Sequence, residues 1–318
     1  MCVFFTAQKT LNQDVSCHGI GVHCNAPITL TFKPADVDMG IVFVRSDLYE
    51  NNVIPAAYDL VQDTRFCTIL KNQAGVSIST VEHVMAALAA FSITNLIVEV
   101  SGPEMPIMDG SSKVFVDMIQ QAGIKNQGAA MPFIRIIEKV EITEDNRFVC
   151  LEPAPDFTIA YGIDFNGRQN LAPQNHVFHC SSLRFVNTIC QARSFGFLED
   201  AEKLWALGLA KGSSLDNAVV IDQGYVMNED GLRYANEMVR HKILDALGDL
   251  ALAGVGIQGR LTTHNGGHEM NNRILRHLFA NPHAYEIVYP PHQSTVVKQM
   301  TSPSKHIAQK RESFSLTA

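Results

Sequence analysis

Three short segments hold side chains whose types and spacing could do chemistry. In the first, His241 and Asp245 are four residues apart, with Asp249 four further on. On a helix such residues project from one face, near enough to hold one ion. An imidazole nitrogen and a carboxylate oxygen are ligands suited to zinc. The same pair also fits a plain helix-stabilising contact on a solvated face. The second segment is Thr80-Val81-Glu82-His83. Near the first turn of a helix, His83 and Glu82 can flank one cavity, with His83 as a third ligand and Glu82 taking a proton from water. That is the division of labour in metal-assisted hydrolysis, where a cation lowers the pKa of water towards about 7. A capping box around Ser79 and Glu82 would use the same residues. The third segment is His264-Asn265-Gly266-Gly267-His268. Its glycines let backbone approach a ligand closely, and a histidine there can protonate a leaving amine or stabilise an oxyanion. An exposed turn is the plainer alternative. The stretch His18-Gly19-Ile20-Gly21-Val22-His23 lacks the third glycine and preceding strand of a dinucleotide fingerprint.

The elements that must position these residues fall into two runs. Strand-like alternation is expected at 28–33, 41–45 and 95–100, with an Ala-rich helix at 80–91 capped by Thr80 and a second helix at 113–121. The polar, Gly-containing stretch 123–132 is the candidate linker. Strands then recur at 134–142, 147–151 and 158–165. They are followed by a helix at 199–207, a strand at 218–221, a long helix at 236–253, a strand at 259–263 and a helix at 271–279. In that long helix Ile243, Leu244, Leu247 and Leu250 supply the packing stripe. Strands first and helices later in each run is an α+β layering. Glu82-His83-Val84-Met85-Ala86-Ala87-Leu88 also echoes the segment 240–247, as an internal repeat would. The units expected are 1–126, 132–289 and a polar tail, 290–318.

A length of 318 residues fits two domains, and 46% hydrophobic with 18% charged residues fits a soluble globular chain with a sizeable core. The net charge of -7 argues against binding a phosphate backbone. Seven cysteines without a Cys-x-x-Cys pair fit reduced thiols in a cytosol. Val3–Phe5 is apolar without a basic region before it, and 84–98 is too short and polar to span a bilayer. A cytoplasmic address follows as the expectation.

The segments taken together carry more than each alone. Ser79-Thr80-Val81-Glu82-His83, Pro106-Ile107-Met108-Asp109-Gly110-Ser111, Ala192-Arg193-Ser194-Phe195-Gly196-Phe197, Asn228-Glu229-Asp230-Gly231-Leu232-Arg233 and the His241 helix closely resemble one family. It is UDP-3-O-acyl-N-acetylglucosamine deacetylase, the zinc amidase of lipid A synthesis in Gram-negative bacteria. The resemblance runs from about Gln8 to Tyr285. It implies two similar α+β domains, each a β-sheet and paired-helix sandwich, with the active site at their junction. By motif it makes His83, His241 and Asp245 the ligands of one Zn2+ per chain, Glu82 the general base and His268 the cation or general acid. The same resemblance implies that Asp249 orients His268, that Lys242 contacts substrate and that Phe165 packs on the uracil ring. The imidazole and carboxylate set also suits Fe2+. The substrate implied is an acylated UDP-sugar, handled by a monomer without nucleic acid or a membrane span.

Two positions depart from the family pattern. Ser194 stands where threonine is expected as the carbonyl-polarising hydroxyl, so the hydroxyl is kept and the methyl that limits its rotamers is lost. Ser213 stands where relatives often have the second of two glycines. Val22, Phe195, Ala201, Ala210 and Leu215 are candidates for an acyl passage, and core packing would use the same side chains. Two rival classes remain open. A zinc peptidase would need the same ligands but not Phe165 or the passage. A binding module for RNA would need a Lys/Arg stripe, which this acidic chain lacks.

Overall fold

The computed structural model describes residues 7–165, 167, 171–206 and 208–290. Its α-helices are α1 (Glu82–Phe91), α2 (Lys113–Ala122), α3 (Ser182–Thr188), α4 (Leu198–Ala206), α5 (Glu237–Ala251) and α6 (His268–Ala280). The strands form where apolar and polar residues alternate. In Pro27–Pro34, Ile28, Leu30 and Phe32 turn inward, and in Leu96–Val100, Leu96, Val98 and Val100 do the same. Thr158–Ile163 is buried on both faces and pairs in parallel with Arg260–His264.

Two five-stranded sheets repeat one topology. The first runs Val15–Ile20, Pro27–Pro34, Leu96–Val100, Ile41–Arg45, Val53–Pro55. The second runs Val140–Glu144, Arg147–Glu152, Arg260–His264, Thr158–Ile163, Gln174–His179. In both, successive neighbours pair antiparallel, antiparallel, parallel and antiparallel. α1 precedes and α2 follows the central strand of the first sheet; α5 and α6 do the same in the second. The echo between the two His-containing segments thus falls on equivalent helices. The fold is α+β, and its two halves meet chiefly where α1 packs on α5.

That contact requires two helices to come unusually close. α1 is Ala-rich, and seven of its residues, Glu82 through Leu88, are buried. On α5, a Cβ at Gly248 would lie 2.0 Å from the Glu82 carbonyl oxygen and 3.1 Å from the Ala86 nitrogen. Only a residue without a side chain fits against that backbone. The first turn of α1, which carries Glu82 and His83, is thereby seated directly on α5.

Several expectations need correction. Thr80 does not cap α1: it sits at φ +61° with its hydroxyl donating to Glu104 Oε1, and Val81 precedes the helix without a side-chain cap. Glu82 is therefore not part of a capping box. The stretch 123–132 is no open linker, since Ile124–Ala130 pairs antiparallel with Ala7–Leu11. The expected strand 134–142 is two strands, Phe133–Ile136 and Val140–Glu144, in different sheets. α6 begins at His268 rather than 271, because Gly267, at φ +134°, turns the chain straight into the helix. His18 lies on the strand Val15–Ile20. The tail from 291, and Val3–Phe5, lie outside the described residues. Among the described residues no helix is long and apolar enough to cross a membrane.

A cavity of about 500 Å³ lies between the C-terminal ends of α1 and α5, lined by residues such as Leu88, Phe91, Phe178 and Leu250. None of His83, His241 and Asp245 lines it, so the chemistry sits elsewhere.

Gly248 supplies a direct test of the helix contact. Alanine is the better helix former by about 1 kcal/mol, yet its Cβ would strike backbone that cannot rotate away. Gly248→Ala is expected to lose about 1–3 kcal/mol in denaturant unfolding. Equal or higher stability would show that the helices do not pack this closely.

Candidate metal centre

The side chains of His83, from the first turn of α1, and of His241 and Asp245, from α5, converge with all three residues buried. Asp245 Oδ1 is 3.6 Å from His83 Nε2 and 3.3 Å from His241 Nε2. The two imidazoles meet edge to face, with centroids 5.0 Å apart. A tetrahedral ion with bonds of ~2.0–2.1 Å keeps its ligands ~3.3–3.4 Å apart, so the trio is spaced for one. The solvated-face reading of the His241–Asp245 pair is excluded by burial. Asp245 Oδ1 is buried without a hydrogen-bond donor. A buried carboxylate oxygen left so would cost several kcal/mol unless a cation meets it. The residues therefore fit a metal ion.

Two of the three side chains, His241 and Asp245, are held in the state that metal binding needs. His241 Nδ1 donates to the Ala192 carbonyl at 3.0 Å, leaving the Nε2 lone pair for the ion. Burial pushes the His241 pKa down to about 3, so its ring is neutral at pH 7. Burial works to raise the Asp245 pKa, yet the neighbouring His241 ring and the Lys242 ammonium hold it well below the usual carboxylate range. Lys242 Nζ donates to Asp245 Oδ2 at 2.8 Å, so the two oxygens have separate tasks.

Beside the trio stands a second buried pair. Glu82 Oε1 lies 4.0 Å from His268 Nε2. Burial raises the Glu82 pKa, which makes its carboxylate a better proton acceptor. His268 Nδ1 is 2.8 Å from Asp249 Oδ2. Burial works against the charged ring, but the carboxylates of Asp249 and Glu82 outweigh it and raise the His268 pKa to about 9. At neutral pH His268 is thus a cation facing Glu82. One wall carries a proton acceptor and a proton donor next to a place for a cation.

The run 192–194 ties this geometry to α5. The Ala192 carbonyl takes His241, and Ser194 Oγ lies 3.3 Å from His241 Nε2. Between them, the buried Arg193 donates through Nε to Glu237 Oε1 at 2.9 Å and through Nη2 to the Gly231 carbonyl at 2.6 Å. Glu237 opens α5 four residues before His241, and the Arg233 amide donates to its other oxygen at 2.7 Å. The Arg233 guanidinium also donates to Asp109 Oδ2 at 2.7 Å. The motifs around Asp109, Arg193 and Asp230–Arg233 are therefore scaffolding that fixes Ser194 and the start of α5.

The expected substrate side chains are placed unevenly. Phe195 is 6.5 Å from the His241 ring and lies under Lys242 Nζ, 5.6 Å from its centroid. Phe165 packs edge-on against Phe195 and Phe197 at 6.5 and 6.4 Å. Val22 sits in a half-buried turn whose carbonyl accepts from the Gly212 amide at 2.9 Å, bringing 21–26 against 210–213. Leu215 is exposed, with its carbonyl held by Asn228. Ser213 donates to the Ala210 carbonyl and accepts from the Trp205 indole, a link glycine could not make.

Some contributors carried no signal in the sequence. Thr68, in a loop between short strands, donates its amide to Glu82 Oε2 and its hydroxyl to Asp249 Oδ1. Asn271 donates to Asp249 Oδ2 at 2.9 Å. Glu104 accepts from the amides of His23 and Cys24, pinning the Val22 turn. None lies in a spacing pattern that marks chemistry; only the tertiary contact reveals them.

Comparison with known proteins identifies the family. The family model for UDP-3-O-acyl N-acetylglycosamine deacetylase matches residues 8–280. A protein of Mannheimia succiniciproducens named UDP-3-O-acyl-N-acetylglucosamine deacetylase is 43% identical over 301 residues, covering 94% of this chain and 98% of its own. Proteins of the same name from Pasteurella multocida and Shewanella frigidimarina are 44% identical over 285 residues and 45% over 282. Each match covers 88% of this chain and 92% of the relative. With the family model spanning most of its length, the chain belongs to the UDP-3-O-acyl N-acetylglycosamine deacetylase family.

Proposed function

We propose that this chain hydrolyses the 2-acetamido group of a UDP-3-O-acyl-N-acetylglucosamine, releasing acetate and a free amine on the route to lipid A. The observation that carries the reading is the buried His83–His241–Asp245 trio, with an undonated carboxylate oxygen, set beside the facing Glu82 and His268. The membership and the relatives' names supply the substrate class. We take the ion to be zinc; two imidazoles and one carboxylate are a donor set found in catalytic zinc sites, and they also accept iron(II). Bound there, the ion would acidify a water and polarise the amide carbonyl.

The chain's own groups do the rest. Glu82, fixed at Oε2 by the Thr68 amide, presents Oε1 to take a proton from water. Ser194 offers its hydroxyl beside His241 to the negative charge that develops on the carbonyl oxygen. Protonated His268, held by Asp249, stabilises that charge and, with Glu82, supplies the proton that the departing amine needs. Lys242 and Phe195 form a cationic and aromatic ledge for the anionic nucleotide, and Phe165 beside it suits a pyrimidine ring. Val22 and Leu215 are assigned to the acyl side on the resemblance alone. We further read the protein as a monomer working in the cytoplasm. One chain supplies all three residues of the trio, and Cys17, Cys24, Cys67, Cys150 and Cys190 are free thiols.

Three outcomes test this. Metal analysis of gel-filtered protein should find about one ion per chain, and Asp245→Asn or His241→Ala should strip most of it; full occupancy in either variant would contradict the ligand set. Glu82→Gln should retain the ion and lower acetate release from the acylated UDP-sugar by about 10²–10⁴-fold, whereas turnover within a few-fold of wild type would refute the scheme. The pH profile follows from the raised His268 pKa. The protonated form persists at neutral pH and is lost as pH rises, so kcat/KM should fall through about pH 9. His268→Gln should be slower and lack that limb; an unchanged limb would assign it to another group.

A further inference from the structure

Thr68 donates a hydrogen bond to each of the two carboxylates of the proton-transfer wall. It is buried, in the first half of the chain between the strands Val61–Asp63 and Ile69–Lys71. Its amide donates to Glu82 Oε2 at 3.0 Å, and its hydroxyl donates to Asp249 Oδ1 at 2.5 Å, across 181 residues and onto α5 of the second half. Asp249 Oδ2 meets His268 Nδ1 at 2.8 Å and Asn271 Nδ2 at 2.9 Å, and His268 Nε2 faces Glu82 Oε1 at 4.0 Å. The contacts close a ring, Thr68 to Asp249 to His268 to Glu82 and back to Thr68. In that ring each carboxylate gives one oxygen to Thr68 and turns the other towards His268.

We propose that Thr68 is a positioning residue for deacetylation, a strut that fixes the Glu82–His268 separation by holding one oxygen of Glu82 and one of Asp249. The two halves contribute different members of the wall, Glu82 from α1, Asp249 from α5 and His268 from α6. The α1–α5 contact fixes the backbones, and Thr68 fixes the carboxylate side chains that project from them. The hydroxyl is the sole side-chain part of this link, because the amide survives any substitution except proline. The chemistry is also one-directional. An ionised carboxylate can only accept, so the hydroxyl proton is committed to Asp249, and Asp249 in turn directs its other oxygen to the His268 N–H.

The proposal rests on the deacetylase reading, and the experiment separates the two. Thr68→Val removes the hydroxyl and nearly keeps the shape; Thr68→Ser keeps the hydroxyl and loses the methyl. On the metal-loaded enzyme with acylated UDP-sugar, Thr68→Val should lower kcat by ~10–100-fold, with KM and metal content near wild type. Thr68→Ser should recover to within a few-fold. In substrate-free protein, the His268 Nδ1 proton resonance should be sharp in wild type and Thr68→Ser, and shifted or lost by exchange in Thr68→Val. If Thr68→Val does not fold, Thr68→Ala takes its place against Thr68→Ser. A hydroxyl-less variant with wild-type kcat, a serine variant as slow as the hydroxyl-less one, or an unmoved His268 resonance would overturn the proposal. Wild type that releases no acetate while the resonance still responds to Thr68 would instead count against the deacetylase reading.

Discussion

The structure is organised around a carboxylate kept charged in the interior. Asp245 is buried between the two halves, with one oxygen bound by Lys242 and the other facing the Nε2 atoms of His83 and His241 without a donor. Burying such a charge costs several kcal/mol unless opposite charge and hydrogen bonds compensate. Lys242 supplies part of that compensation, and a cation at the free oxygen would supply the rest. This arrangement ties folding to function, because the groups that neutralise Asp245 are those that assemble the site.

The close crossing of α1 and α5 is what makes the arrangement possible. His83 belongs to the first half and His241 with Asp245 to the second, so the three side chains meet only if the helices approach to backbone contact. Gly248 against the Glu82 carbonyl allows this, and the small side chains of α1 keep the approach close along its length. The repeated topology places α1 and α5 at equivalent positions, so one layered unit used twice presents two His-bearing helices to each other. Segments inserted between sheet and helix in each half then complete the wall. Thr68 comes from the first insertion, and Ser194 stands where the second one begins.

Much of this was legible in the sequence where a period or a motif carried it. The alternation of Ile28, Leu30 and Phe32 and the Ala/Leu content of α1 and α5 specify those elements to within a few residues. His241 and Asp245 announce themselves by spacing, and Glu82 with His83 by their place at a helix start. What stayed hidden depends on contacts between distant segments. Thr68 reaches Asp249 across 181 residues, and no local pattern marks it. Ile124–Ala130 reads as a linker because its polar residues and glycine disfavour strands, yet pairing with Ala7–Leu11 overrides that preference. The buried Arg193–Glu237 pair was visible only as a motif, and its task of anchoring the start of α5 needed the tertiary structure.

The central claim is that His83, His241 and Asp245 hold one catalytic ion between the halves. Anomalous diffraction at the zinc edge, from crystals of the metal-loaded protein, tests it most directly. A single strong peak is expected at ~2.0–2.2 Å from the Nε2 atoms of His83 and His241 and from an oxygen of Asp245, with Glu82 outside bonding distance. A peak held by other side chains, or one bonded to Glu82 in place of Asp245, would contradict it.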